Sequence, residues 1–133
     1  MERTRFIEHE GRAIVLMDFS NIWRIDDGLK AIEEARRFVA AQPKQQALLT
    51  LVHLTDSTFD DRILEKLKEL AVHNRPWVLA GSVVGLRGMQ KVMYRLITTF
   101  SGRKLAAFDT LEDAKRWLVA QKEPPHSVPE PSP

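Results

Sequence analysis

Apolar positions change their spacing in a regular way along the chain, and those changes mark out its elements. Thr4–Glu8 and Ala13–Phe19 flank Glu10-Gly11, a pattern that predicts a β-hairpin in which the glycine supplies the positive φ of a tight turn. Ala13-Ile14-Val15-Leu16-Met17 is almost unbroken in apolar character, as expected of a central strand covered on both faces. The period then lengthens. Asp26 and Asp27 open a helix running to about Ala41, with Leu29, Ile32, Ala35, Phe38 and Val39 on one side and Lys30, Glu33, Glu34 and Arg37 largely on the other. Pro43 ends it.

Ala47–Leu54 reads as a second buried strand, and Asp60–Asn74 as a second helix carrying Ile63, Leu64, Leu67, Leu70 and Ala71 inward. Pro76 breaks the chain before a strand over Trp77–Val84. Gly85 and Gly88 bracket a turn into a third helix, with Leu86, Met89, Met93, Leu96, Ile97 and Phe100 as its apolar stripe and Ser101-Gly102 as its stop. A short strand, Leu105–Phe108, precedes a last helix. Thr110 caps that helix with Asp113 completing a capping box, and Leu111, Ala114, Trp117 and Leu118 face inward. The order β-β-α-β-α-β-α-β-α implies an α/β fold with a mostly parallel central sheet packed by helices. One domain over residues 1–121 is expected. Five of the seven prolines lie in Glu123–Pro133, so residues 122–133 are expected to form a disordered tail.

Composition narrows the function classes. The 20 basic and 18 acidic residues leave a formal charge of +2, too nearly balanced to argue for a nucleic-acid partner. With no cysteine, the chain offers no disulfide, thiolate metal ligand or cysteine nucleophile. His9, His53, His73 and His126 do not fall at metal-binding spacing, and neither a G-x-S-x-G elbow nor a phosphate-binding G-K-[ST] loop occurs. Neither a metal nor a cofactor is expected, and the plain expectation is a cytoplasmic, non-enzymatic protein.

Four strings carry a family resemblance. They are Gly11–Ser20, Leu49–Ser57 running into a helix, Val84-Gly85-Leu86 opening the third helix, and Phe108–Leu118 at the end. Over residues 4–119 the element order and these strings resemble the SpoIIAA-like branch of the STAS superfamily, which is often compared with the CRAL-TRIO lipid-binding fold. The resemblance implies a bacterial regulatory protein, often a homodimer, that binds another protein in the manner of an anti-sigma-factor antagonist. In that family an Asp-Ser pair follows a central strand at the start of the next helix, and phosphorylation of the serine switches partner binding. Asp56-Ser57 stands at the corresponding place, followed by Thr58-Phe59-Asp60 instead of a glycine-rich continuation.

Ser57 and Thr58 are thus the candidate regulatory residues. Between a strand and a helix, free N–H groups and the helix dipole favour an anion. The simpler alternative is that one of them is only the helix N-cap, since Ser57-x-x-Asp60 and Thr58-x-x-Asp61 both fit a capping pattern. Asp18, Ser20 and Asn21 end the first long strand at the same expected sheet edge as Asp56, where ligands dock in open α/β sheets. They equally suit a turn made by local hydrogen bonds. Trp23, beside this loop, is either an interface anchor or a buried edge residue. A triad of His53, Asp56 and Ser57 can be drawn on paper, though sequence proximity is poor support for one.

A second candidate surface lies on the third helix, where Arg87, Lys91 and Arg95 share a face and Arg103 follows its end, with no acid between Gly81 and Phe108. That face suits an anionic membrane surface or a phosphate-bearing partner. Beneath it, Met89, Met93, Leu96 and Phe100 are the candidate lining for a lipid-like or other amphipathic small molecule. The leading expectation is a switched protein-binding module. A small-molecule carrier and a membrane-attached protein are its rivals.

Overall fold

The computed structural model describes residues 2–58, 60–85 and 104–122. Five strands form one sheet in the order β1 (Thr4–His9), β2 (Arg12–Asp18), β3 (Leu48–His53), β4 (Val78–Val84) and β5 (Lys104–Phe108). β1 and β2 are the expected hairpin, and β2 to β5 run parallel. At the hairpin turn both Glu10 (φ 50°) and Gly11 (φ 84°) are left-handed, which matches the twist of paired strands.

Three helices belong to the described residues: α1 (Ile25–Ala40), α2 (Asp61–Asn74) and α3 (Leu111–Val119). α1 and α2 cover one sheet face, where Val15, Met17, Ala35, Val39, Leu67 and Val83 are buried together. α3 covers the other, burying Ala114 and Leu118 against Ile14, Leu16, Leu49 and Leu51. The unbroken apolar run of β2 therefore divides by the strand period of two, odd positions to one core and even positions to the other. Between β3 and β4 the register shifts at Leu48 and Leu49, which pair with Val78 and Ala80. Leu79 is the extra residue of this bulge, and both it and Ala80 pack toward the α3 side.

Thr110 caps α3 as expected, its hydroxyl accepting the Asp113 N–H at 3.1 Å. The Asp113 carboxylate turns instead to Arg116, 3.2 Å away. Arg12 Nη1 donates to the carbonyls of Val119 and Gln121 (3.1 and 2.5 Å), closing the helix's last turn with a cation. Among the described residues no helix is long and apolar enough to cross a membrane.

Ser82 alternates with Ala80 and Val84 into the α3-side core, and its fully buried hydroxyl has no hydrogen-bond partner among the described residues. A buried, unpaired hydroxyl costs stability that a methyl group does not. Ser82→Ala is therefore expected to leave unfolding free energy unchanged or raise it by about 1 kcal/mol in urea denaturation. A comparable loss would show that the hydroxyl is satisfied.

Candidate functional site

The carboxyl ends of β2, β3 and β4 lie side by side, and the chain leaves each through a left-handed residue: Asn21 (φ 55°), Asp56 (φ 59°) and Gly85 (φ 93°). Asparagine and aspartate tolerate this conformation better than most side chains, yet it remains uncommon, and such residues gather at functional loops. Beyond the strands the loops stay joined by backbone hydrogen bonds. Phe19 N–H donates to His53 O (2.8 Å), Asn21 N–H to Thr55 O (2.9 Å), Leu54 N–H to Val84 O (2.8 Å) and Thr58 N–H to Ile22 O (2.8 Å).

Ser57 sits at the centre of this joint. Its hydroxyl donates to the Phe19 carbonyl and lies 3.4 Å from the Ile22 N–H, which points at it as a long donor. It therefore ties the β3–α2 loop to the β2–α1 loop. This corrects the capping alternative for Ser57 and Thr58: the cap of α2 is Asp60, whose Oδ1 accepts the Ile63 N–H at 3.0 Å. That amide, reinforced by Arg62, holds the Asp60 carboxyl below its usual range. Thr58 is exposed and Ser57 half-buried. Beneath them Phe19, Ile22, Leu54, Ile63 and Leu67 leave only about 10 Å³ of free space, so added bulk on Ser57 has no room inward.

Asp18 and Ser20 make the turn that leads out of β2. Asp18 Oδ1 accepts the Ser20 N–H (3.1 Å) and hydroxyl (2.5 Å), the local pattern that favours these residue types in turns. Arg3 fixes the same turn from outside, Nη1 donating to the carbonyls of Asp18 (3.1 Å) and Ser20 (3.0 Å). Partial burial alone would raise the Asp18 pKa, but the two Ser20 hydrogen bonds, with His53 and Arg3, outweigh it and hold the carboxyl below its ordinary value of 3.8.

A carboxyl with a depressed folded pKa stabilises the fold at pH values above its unfolded pKa, and that contribution disappears as pH falls through the folded value. Asp18→Asn is thus expected to cost stability at neutral pH. The gap to wild type should shrink in urea titrations below about pH 3.9. A gap that stays constant with pH would show that the carboxylate charge plays no part.

The paper triad of His53, Asp56 and Ser57 is not assembled. His53 Nε2 lies 3.0 Å from the Thr55 hydroxyl, Asp56 is exposed, and the Ser57 proton is directed at a carbonyl. Asp18 Oδ1 is 3.6 Å from His53 Nδ1, beyond hydrogen-bond range, so it does not orient the imidazole as a nucleophile relay requires. The basic stripe Arg87, Lys91, Arg95 and Arg103, and the apolar set Met89, Met93, Leu96 and Phe100, lie outside the described residues, as does the tail from residue 123.

On the outer side of the β2–α1 loop the structure shows what the sequence left open. Trp23 is 75% exposed at the rim of a cleft of about 360 Å³ lined by Arg3, Asn21, Ile22, Arg24, Asp27, Lys30, Ala31 and Glu34. The available signal was a tryptophan outside every apolar stripe, but pattern alone did not separate an exposed ring from a buried edge.

Neither a protein-family model nor a curated protein matches the chain. Among solved structures it is similar to an uncharacterized protein from Shewanella loihica PV-4, of the DUF3478 family and with a SpoIIAA-like fold. The TM-score is 0.67 over 86% of this chain and 91% of that one, at 13% identity. The likeness establishes the architecture: this chain has a SpoIIAA-like α/β fold.

Proposed function

We propose that the protein is a non-enzymatic regulatory module that binds another protein through the loops at the carboxyl edge of its sheet, and that phosphorylation at Ser57 or Thr58 switches this binding. One observation carries the reading: the Ser57 hydroxyl is the side-chain joint between the β2–α1 and β3–α2 loops, through the Phe19 carbonyl and the Ile22 amide. A phosphate on Ser57 replaces the proton that Phe19 accepts with close to two negative charges. The filled core beneath the loop leaves it nowhere to go but outward. The joint then opens, and the surface formed by the two loops changes both shape and charge. At Thr58 a phosphate sits on the exposed side of the same loop and acts through charge alone.

Intact-mass analysis and peptide mapping of the protein purified from its own cells test the modification. A phosphate localised to Ser57 or Thr58 is the expected result. An unmodified chain across growth conditions would remove the switch and leave a constitutive binding module.

A further inference from the structure

The Trp23 cleft has a composition that selects its occupant. Tryptophan is enriched among the residues that anchor protein interfaces, and the Trp23 ring lies mostly exposed on a concave surface. Here the ring is flanked by Arg24 and Lys30, both exposed, and by the guanidinium of Arg3. Neither Arg24 nor Lys30 has an ion-pair partner among the described residues, whereas Arg36, Arg37, Lys66 and Arg116 on the helix surfaces do.

Two carboxylates also line the cleft. Glu34 is turned onto the backbone, its Oε2 accepting the N–H groups of Arg3 (2.8 Å) and Thr4 (2.9 Å). Asp27 lies in the first turn of α1, where the helix dipole offsets its charge. The cations are thus left facing outward, beside an apolar ring. Resting on the reading that this edge binds a protein, we propose that the cleft takes an acidic segment of the partner. One apolar side chain of that segment lies against Trp23, and its carboxylates pair with Arg24 and Lys30.

The same site explains how charge on Ser57 reaches the partner. Ile22 is among the residues lining the cleft, and its backbone meets the Ser57 hydroxyl and the Thr58 amide. A phosphate on Ser57 lies behind the cleft wall and repels an acidic occupant.

The test uses fluorescence anisotropy of the full chain with labelled short peptides, each carrying glutamates around a single leucine or phenylalanine, and with counterparts in which lysine replaces every glutamate. Acidic peptides are expected to bind and basic ones not. Trp23→Ala should weaken binding about 30-fold, the effect of a lost anchor, and Arg24→Glu or Lys30→Glu about tenfold each. Lys66→Glu on α2, a cation paired with Glu69 away from the cleft, should have no effect. Equal binding of acidic and basic peptides, equal loss from Lys66→Glu and Arg24→Glu, or no binding by any acidic peptide would each overturn the site. So would binding only to phosphatidylserine vesicles, which would make the surface a membrane contact. Ser57→Asp separates the two readings. Peptide binding that depends on Trp23 but not on Ser57→Asp keeps the cleft and removes the switch. Binding that Ser57→Asp abolishes and Trp23→Ala leaves intact keeps the switch and removes the cleft.

Discussion

Gly85→Ala is expected to be the most damaging single-atom addition in the described chain, lowering unfolding free energy by about 4 kcal/mol. Gly85 has φ 93°, and a methyl group there would lie 2.5 Å from both the amide nitrogen and the hydroxyl of Thr55, and 2.8 Å from its Cα. The nitrogen and the Cα are main-chain atoms, and they cannot give way easily. Leu54 N–H is bonded to Val84 O at 2.8 Å, so the two strand ends are pinned immediately before the overlap. Gly28→Ala is the control. Its methyl would lie 2.7 Å from Ile63 Cδ1, the end of a flexible side chain, and alanine in a helix gains about 1 kcal/mol over glycine. A small net change is expected there. Urea denaturation of the two variants decides the matter, and equal effects would mean that the β4 exit does not have this close approach. Because Gly85 braces Thr55 immediately before Asp56-Ser57, the variant should also disturb the candidate site in whatever population still folds.

Leu118→Ala is expected to cost about 3 kcal/mol and to release α3 from the sheet. The helix has nine residues, too few to persist in water without tertiary support. Only Ala114 and Leu118 are buried from it, both at 0% exposure, with Trp117 against Phe108 at 5.7 Å between ring centroids as a flanking contact. Truncating Leu118 removes most of what the helix buries. The expected signature is a lower urea midpoint together with lost amide protection over Leu111–Val119, while β2 and β3 remain protected in the surviving fold. A loss below about 1 kcal/mol would show that the α3-side core relaxes into the space.

Local pattern made the elements legible because each is governed by short-range physics. The hairpin is visible in Glu10-Gly11, the doubly buried part of β2 in Ile14–Met17, and the start of α3 in Thr110. The element bounds shift by only a residue or so, β2 being Arg12–Asp18 and α1 Ile25–Ala40. Local pattern does not single out Asp60 as the α2 cap, for a physical reason. Ser57, Thr58 and Asp60 all have capping chemistry, and the choice among them is made by Phe19, 38 residues earlier in the chain, whose carbonyl takes the Ser57 proton. Arg3 bonding to the carbonyls of Asp18 and Ser20, and Glu34 to the amides of Arg3 and Thr4, are likewise contacts between distant segments that no spacing encodes. The Trp23 cleft belongs to the same class, since its walls come from the first residues, the β2–α1 loop and two turns of α1. Short-range rules located the sheet edge, and tertiary contacts decided what each residue on it does.

The central claim is that the Ser57 hydroxyl holds two loops together and that charge there opens them. Residue-resolved amide hydrogen exchange of wild type, Ser57→Ala and Ser57→Asp measures this directly. The account expects the amides of Asn21, Ile22 and Thr58 to lose protection in Ser57→Asp, and to a lesser degree in Ser57→Ala, while Leu51 and Val83 in the sheet remain as protected as in wild type. Unchanged protection at Asn21, Ile22 and Thr58 in Ser57→Asp would contradict it, because the loops would then be held by their backbone bonds alone and Ser57 could not act as their switch.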